Sequence, residues 1–170
     1  MEKNFLELIL KNFWLISIAV IFINGIILKV KSQKYIQESP ELKTGYDMLL
    51  KGWLIYGNIP WVIMGIGNLT KYTNTLFDYC NPKSFNPFVL IFHLSLVILW
   101  ILLSRWIYFK GGAEFMEKHP GLFVKTGFSE ASEKITAKQI KISVGLNLLG
   151  GGIGMALVWI MDISVPKFLN

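Results

Sequence analysis

Two glutamates and a histidine, Glu114, Glu117 and His119, are the residues best placed by type and spacing to do chemistry. Glutamates three residues apart share one face of a helix, and the imidazole follows two residues later. Such a set could bind a metal or transfer protons in a lipid- or quinone-handling membrane enzyme. The same three residues are also ordinary on a solvated helix face. We favour that interpretation and expect no catalytic residue, metal or cofactor.

The other histidine, His93, lies inside a long apolar run. Haem ligation by two histidines would need His119 at the same depth, but it lies at least about 24 Å further along the helix. A haem shared between His93 of two subunits stays an alternative. Asp162 is expected near the same membrane boundary as His93. The two could form a proton relay or a structural hydrogen bond, and we favour the structural pair.

Four polar residues, one in each of four apolar segments, are predicted at nearly one depth: Asn24, Asn58, Arg105 and Asn147. Each lies four or five residues from the end of its segment, which is roughly 6–8 Å. Helical phase predicts that the three asparagines point inward together. Pro60 frees the carbonyl of Tyr56 beside this layer. The layer is either hydrogen-bonded helix packing or a polar cavity that binds a solute, an ion or a lipid headgroup.

The fourth apolar segment is rich in glycine: Gly150 and Gly154 have the four-residue spacing that lets helices approach closely in lipid, and Gly151 shares a helix face with Asn147 and Gly154. Such a surface serves packing within the chain or a homodimer, and we favour packing within the chain. Cys80 is the only cysteine, so an internal disulfide or a dithiol redox pair is excluded.

The composition explains what must position these residues. Of 170 residues, 53% are hydrophobic and only 16% are charged, whereas a soluble domain carries about 25% charged residues. The deficit predicts a membrane protein and excludes a soluble globule or a disordered chain. The net charge of +6 is then explained by lysines at the ends of spanning helices, so we expect a lipid bilayer as the partner and no nucleic acid.

A spanning helix needs about 20 apolar residues. The sequence therefore predicts one all-α transmembrane domain over residues 1–170, a bundle whose four spans cover residues 13–28, 53–69, 88–109 and 142–163. Helix starts are predicted at Ser39-Pro40, at Asn86-Pro87 and at the capping box of Thr136 and Gln139. A short interfacial helix is expected from Ala113 to His119.

Twelve of the 17 basic residues fall in the first and third loops. The positive-inside rule therefore predicts that these loops are cytoplasmic and that both termini are outside. A single arginine among many lysines is typical of an AT-rich genome and favours a bacterial inner membrane. We expect a non-enzymatic protein, serving solute or ion passage or acting as an assembly subunit, with a homo-oligomer or another membrane protein as partner. The membrane enzyme is the alternative.

Overall fold

A computed structural model of the protein describes residues 2–122 and 135–161, and this part of the chain is helical without any strand. Four helices are long and apolar enough to cross a membrane. The fold is an all-α membrane bundle, as the sequence predicts. In chain order the helices are α1 (Glu2–Lys11), α2 (Phe13–Glu38), α3 (Lys43–Leu69), α4 (Pro87–Phe109), α5 (Gly112–Lys118) and α6 (Ala137–Ile160).

Three short 3₁₀ turns connect the helices. Pro40–Leu42 joins α2 to α3, and Leu76–Cys80 and Pro82–Ser84 lie between α3 and α4. Tyr46 in α3 donates a hydrogen bond to the carbonyl of Pro120, so the α2–α3 connection and α5 lie at one end of the bundle. We call this end the connecting side. Helix α1 packs on the turn Leu76–Cys80 at the opposite end, which we call the terminal side.

Helix α2 is longer than predicted, because it continues through the lysine-rich segment after Leu28 as far as Glu38. No helix breaker occurs before Pro40, and a residue that precedes proline disfavours the helical conformation. Pro40 does occupy the first position of the next turn, but the Ser39 side chain makes no capping hydrogen bond. The predicted Ser cap is therefore wrong, whereas the extension of α3 on the connecting side is confirmed.

The other helix starts follow the sequence prediction. The Asn86 side chain accepts a hydrogen bond from the backbone of Phe88 at the start of α4. Thr136 and Gln139 form the capping box of α6. Helix α5 covers Gly112–Lys118 and so confirms the short helix that follows α4.

Packing within the bundle is uneven. Helix α2 packs along α3, and α3 packs along α4. One buried cluster on the terminal side contains Met64, Tyr79, Val89 and Phe92; another on the connecting side contains Ile107, Ala113, Ile140 and Val144. Only 6% of the most apolar stretch of α6 is buried, against 17–22% in the other three long helices. Most of α6 therefore faces the surroundings of the chain.

Candidate functional site

The predicted cluster after α4 is not assembled. His119 is buried, stacks on Phe115 with ring centroids 4.1 Å apart, and packs directly against Gly45 of α3. Glu114 instead pairs with Lys141 of α6, with 2.6 Å between Oε1 and Nζ, and Glu117 is exposed. Within residues 2–122 and 135–161 no three histidine, cysteine or acidic side chains could hold a metal together. A joint catalytic role of these three residues is therefore not supported by their positions.

Two members of this cluster, His119 and Glu114, have structural contacts that explain their orientation. Nδ1 of His119 lies 2.7 Å from the carbonyl oxygen of Phe115, so Nδ1 carries the proton and donates it. The hydrogen bond from Lys141 lowers the pKa of the Glu114 carboxyl below its usual value of 4.5, and a backbone hydrogen bond adds to the effect. Helix α5 is thus fixed between α3 and α6.

The prediction that the three asparagines point inward together is wrong. Asn58 is buried, but Asn24, Arg105 and Asn147 are exposed on the outer faces of α2, α4 and α6. Their common depth stays a prediction, and their side chains do not share a direction. The inward direction of the asparagines is inferred from small residues on the same helix faces. Lipid-facing surfaces carry small residues as well, so this inference does not fix the direction.

Asn58 is the buried member of this set, and its side-chain Nδ2 donates to the carbonyl of Leu54 in its own helix at 2.6 Å. Its Oδ1 is enclosed and accepts no hydrogen bond from the described residues. Pro60 is also buried, but α3 runs uninterrupted through it from Lys43 to Leu69. Pro60 cannot donate a hydrogen bond to the Tyr56 carbonyl, as the sequence predicts, but the helix is not interrupted beside Asn58.

His93 has hydrogen bonds at both ring nitrogens. Nε2 lies 2.9 Å from the carbonyl oxygen of Tyr79, and Nδ1 accepts from the indole Nε1 of Trp159 at 2.8 Å. A carbonyl can only accept, so the proton is on Nε2 and the imidazole is neutral. Ligation of a metal or haem would require one of these bonds to break. The expected partner Asp162 lies outside the described residues.

The turn between α3 and α4 extends this network. The ring of Tyr79 is buried, and its hydroxyl donates to the Met64 carbonyl. The same hydroxyl lies 3.1 Å from the Thr73 hydroxyl, which donates to Asn68. Sequence reasoning missed this cluster, because its hydroxyl groups come from a loop with no helical phase.

The glycines of α6 divide between two environments. Gly151 packs against Trp100 of α4, with 2.9 Å between the ring and the position that a Cβ would occupy. Gly150 and Gly154 have no such neighbour within 4 Å. Close packing within the chain, the favoured interpretation, therefore holds for Gly151 but not for the Gly150–Gly154 pair. Asn147 is exposed beside them and donates to the Ser143 carbonyl at 2.9 Å.

A cavity of about 390 Å³ lies between α2 and α3 on the connecting side. Its walls include the charged side chains of Lys29, Lys43 and Asp47 and the apolar side chains of Leu28 and Leu50. No motif predicts it, because its residues come from two helices whose relative rotation is fixed only by packing.

Three places in the described chain thus bring polar groups to a defined geometry: the hydrogen bonds of His93, the exposed face of α6 around Asn147, and the cavity beside Lys29. No protein-family model, curated protein or solved structure matches the chain.

Proposed function

We propose that the protein is a non-enzymatic membrane assembly subunit that joins a second copy of itself through α6, with its first and third loops in the cytoplasm. The observation that carries this proposal is the exposed Asn147, about five residues inside the apolar span of α6 and next to two glycines with open space before them. We define Asn147, Gly150 and Gly154 as the α6 face.

Exposure of the α6 face to lipid is unfavourable, because it leaves the amide oxygen of Asn147 without a hydrogen-bond donor. The Nδ2 group of Asn147 is satisfied by its own helix, but within the described residues nothing donates to its Oδ1. An amide oxygen cannot find a donor among acyl chains. A second helix can supply one, and interhelical hydrogen bonds of this kind contribute about 0.6–2 kcal/mol. The glycines let the two backbones come close enough for that bond.

A second copy fits this face for reasons of symmetry. At about 100° per residue, the three residues of the α6 face lie within about 60° of one another on the helix surface. All copies insert with the same orientation, so a two-fold axis along the membrane normal places equal residues at equal depth. Asn147 then meets Asn147, and an amide is both donor and acceptor.

The remaining polar residues favour assembly over solute passage. Asn24 and Arg105 face outward from α2 and α4, and the described residues do not line a common polar path with Asn58. No contact among the described residues favours the enzyme alternative, because Glu114 is paired with Lys141 and His119 is covered by α3. We therefore keep the assembly subunit as the single proposal.

Energy transfer between donor- and acceptor-labelled chains in liposomes tests the proposal, with the lipid-to-protein ratio varied. We expect a dimer that dissociates on dilution in lipid. Asn147→Leu should raise the dissociation constant by about 3–30-fold, the equivalent of one lost interhelical hydrogen bond. Gly150→Leu should have at least as large an effect, because its side chain separates the backbones.

Gly152→Leu is the matched control. Gly152 also has no neighbour within 4 Å of a Cβ position, but it lies about 140° around the helix from Asn147. The control should dimerise like the wild type. Equal energy transfer in all variants, or no concentration-dependent transfer in the wild type, would contradict the proposal.

A further inference from the structure

The cavity between α2 and α3 has the arrangement of a binding site for a charged group. It is open on one side and is lined by residues of α2 from Leu28 to Ile36 and of α3 from Lys43 to Leu50. Lys29 projects from one helix, and Lys43 and Asp47 come from the other. Two cations and one anion therefore surround one space of about 390 Å³, a volume within the range of small-molecule sites.

These charges are not used by the fold. Within residues 2–122 and 135–161, no ion pair or side-chain hydrogen bond engages the ammonium groups of Lys29 and Lys43 or the carboxylate of Asp47. Lys43 and Asp47 are four residues apart, a spacing that permits a helical ion pair. The two side chains line the cavity but do not form this ion pair with each other.

The cavity lies at the level of the lipid headgroups. Leu28 is the last residue of the apolar run of α2, and the polar walls begin with Lys29 and Ser32. The headgroup region of a bilayer is roughly 5–8 Å thick on each side of the hydrocarbon core. The cavity therefore opens where a phosphate would be found, with Leu28 and Leu50 on its apolar wall.

We propose that this cavity binds the headgroup of an amine-bearing glycerophospholipid of the phosphatidylethanolamine class. Lys29 and Lys43 bind the phosphate, and the Asp47 carboxylate accepts hydrogen bonds from the ammonium group. Leu28 and Leu50 contact the first methylenes of the acyl chains. Asp47 is what selects this class, because a purely anionic headgroup would be repelled by the carboxylate. The proposal concerns other residues than the α6 face and does not depend on dimer formation.

The test is native mass spectrometry of the full chain released from detergent, with lipids added at known concentrations. Phosphatidylethanolamine should bind as one tight equivalent per chain, ahead of phosphatidylglycerol. Lys29→Gln and Lys43→Gln should each weaken it by about tenfold or more, since each removes a charge-assisted hydrogen bond.

Matched controls come from the same two helices. Lys31→Gln in α2 and Lys51→Gln in α3 remove exposed lysines that do not line the cavity, and both should leave binding unchanged. Asp47→Asn should weaken phosphatidylethanolamine and strengthen phosphatidylglycerol, reversing the preference.

Three results would overturn the proposal. The first is equal loss of lipid in the cavity variants and in the controls, which indicates a diffuse attraction to the basic surface. The second is an unchanged lipid preference in Asp47→Asn. The third is displacement of the lipid by millimolar phosphoethanolamine or inorganic phosphate, which would assign the cavity to a soluble phosphate source instead.

Discussion

The indole Nε1 of Trp159 in α6 donates a 2.8 Å hydrogen bond to Nδ1 of His93 in α4. This bond holds α6 at the terminal side, while Glu114 holds Lys141 at the connecting side. Between these two ends, Gly151 of α6 packs closely against Trp100 of α4. Gly150 and Gly154 have no neighbour within 4 Å of a Cβ position. Helix α6 is thus fixed to the bundle near its ends, while most of its surface between them is exposed.

Trp159→Phe tests the bond to His93. It removes the donor and leaves Nδ1 of a buried imidazole unsatisfied, so we expect a loss of about 1–3 kcal/mol in the free energy of unfolding. Unfolding in mixed micelles measures the loss. Trp53→Phe is the control, because the Trp53 indole makes an exposed and longer bond of 3.3 Å to the Ile21 carbonyl.

The same bond makes a spectroscopic prediction. Nitrogen-15 spectra of His93 in the wild type should show the proton on Nε2, as required by the acceptor at Nδ1. A proton on Nδ1 would contradict the assigned hydrogen bond to Trp159.

Gly45→Ala should release α5 from α3. The ring of His119 occupies the space that a Cβ of residue 45 would need, and the ring cannot move aside easily because it is buried and stacked on Phe115. We expect a loss of about 1–3 kcal/mol, as in other overpacked sites. Thermal unfolding and proteolysis after α5 measure it.

Two variants show whether that loss arises at His119. Gly52→Ala in the same helix has its nearest neighbour at 3.9 Å and should be neutral or stabilising. His119→Ala should make Gly45→Ala tolerated, so that the double variant loses less than the sum of the single variants. Simple additivity would count against the packing of His119 on Gly45.

The pairing of Glu114 with Lys141 predicts a pH dependence. The pKa of Glu114 is lowered in the folded chain. The stabilisation is therefore present above the usual pKa of 4.5 and is lost as the pH falls from there through the lowered pKa. The protection of the α5 amides, which is the exchange rate corrected for its intrinsic pH dependence, should fall over this interval in the wild type.

Glu114→Gln should lower the protection of α5 at neutral pH, and this protection should change little further over that acidic interval. Glu117→Gln replaces an exposed glutamate on the same helix and should behave like the wild type. If Glu114→Gln keeps the full pH dependence, another group is responsible for it.

The sequence predicts the parts of the fold that depend on local chemistry. The cap at Asn86 and the capping box at Thr136 are satisfied within three residues, so their positions follow from the sequence alone. The four apolar helices follow from length and composition for the same reason.

The rotation of each helix about its own axis cannot be predicted from local chemistry in this way. In water the polar face of a helix points outward, but lipid and protein core are both apolar, so hydrophobic phase says little about direction. Asn24, Asn58 and Asn147 are the same residue type and are predicted at the same depth, yet only Asn58 is buried. The partner of His93 was equally hard to predict, since Trp159 is one of several interfacial aromatics and only tertiary packing selects it.

Cysteine cross-linking in membranes tests the α6 face most directly. With Cys80 replaced by Ala, a cysteine is placed at Gly154 on this face or at Gly152 on another side of α6, two positions with open space in the single chain. Under mild oxidation, the account predicts a disulfide-linked dimer for Gly154→Cys and monomer for Gly152→Cys. Equal cross-linking at both positions, or cross-linking at Gly152→Cys alone, would contradict assembly through the α6 face.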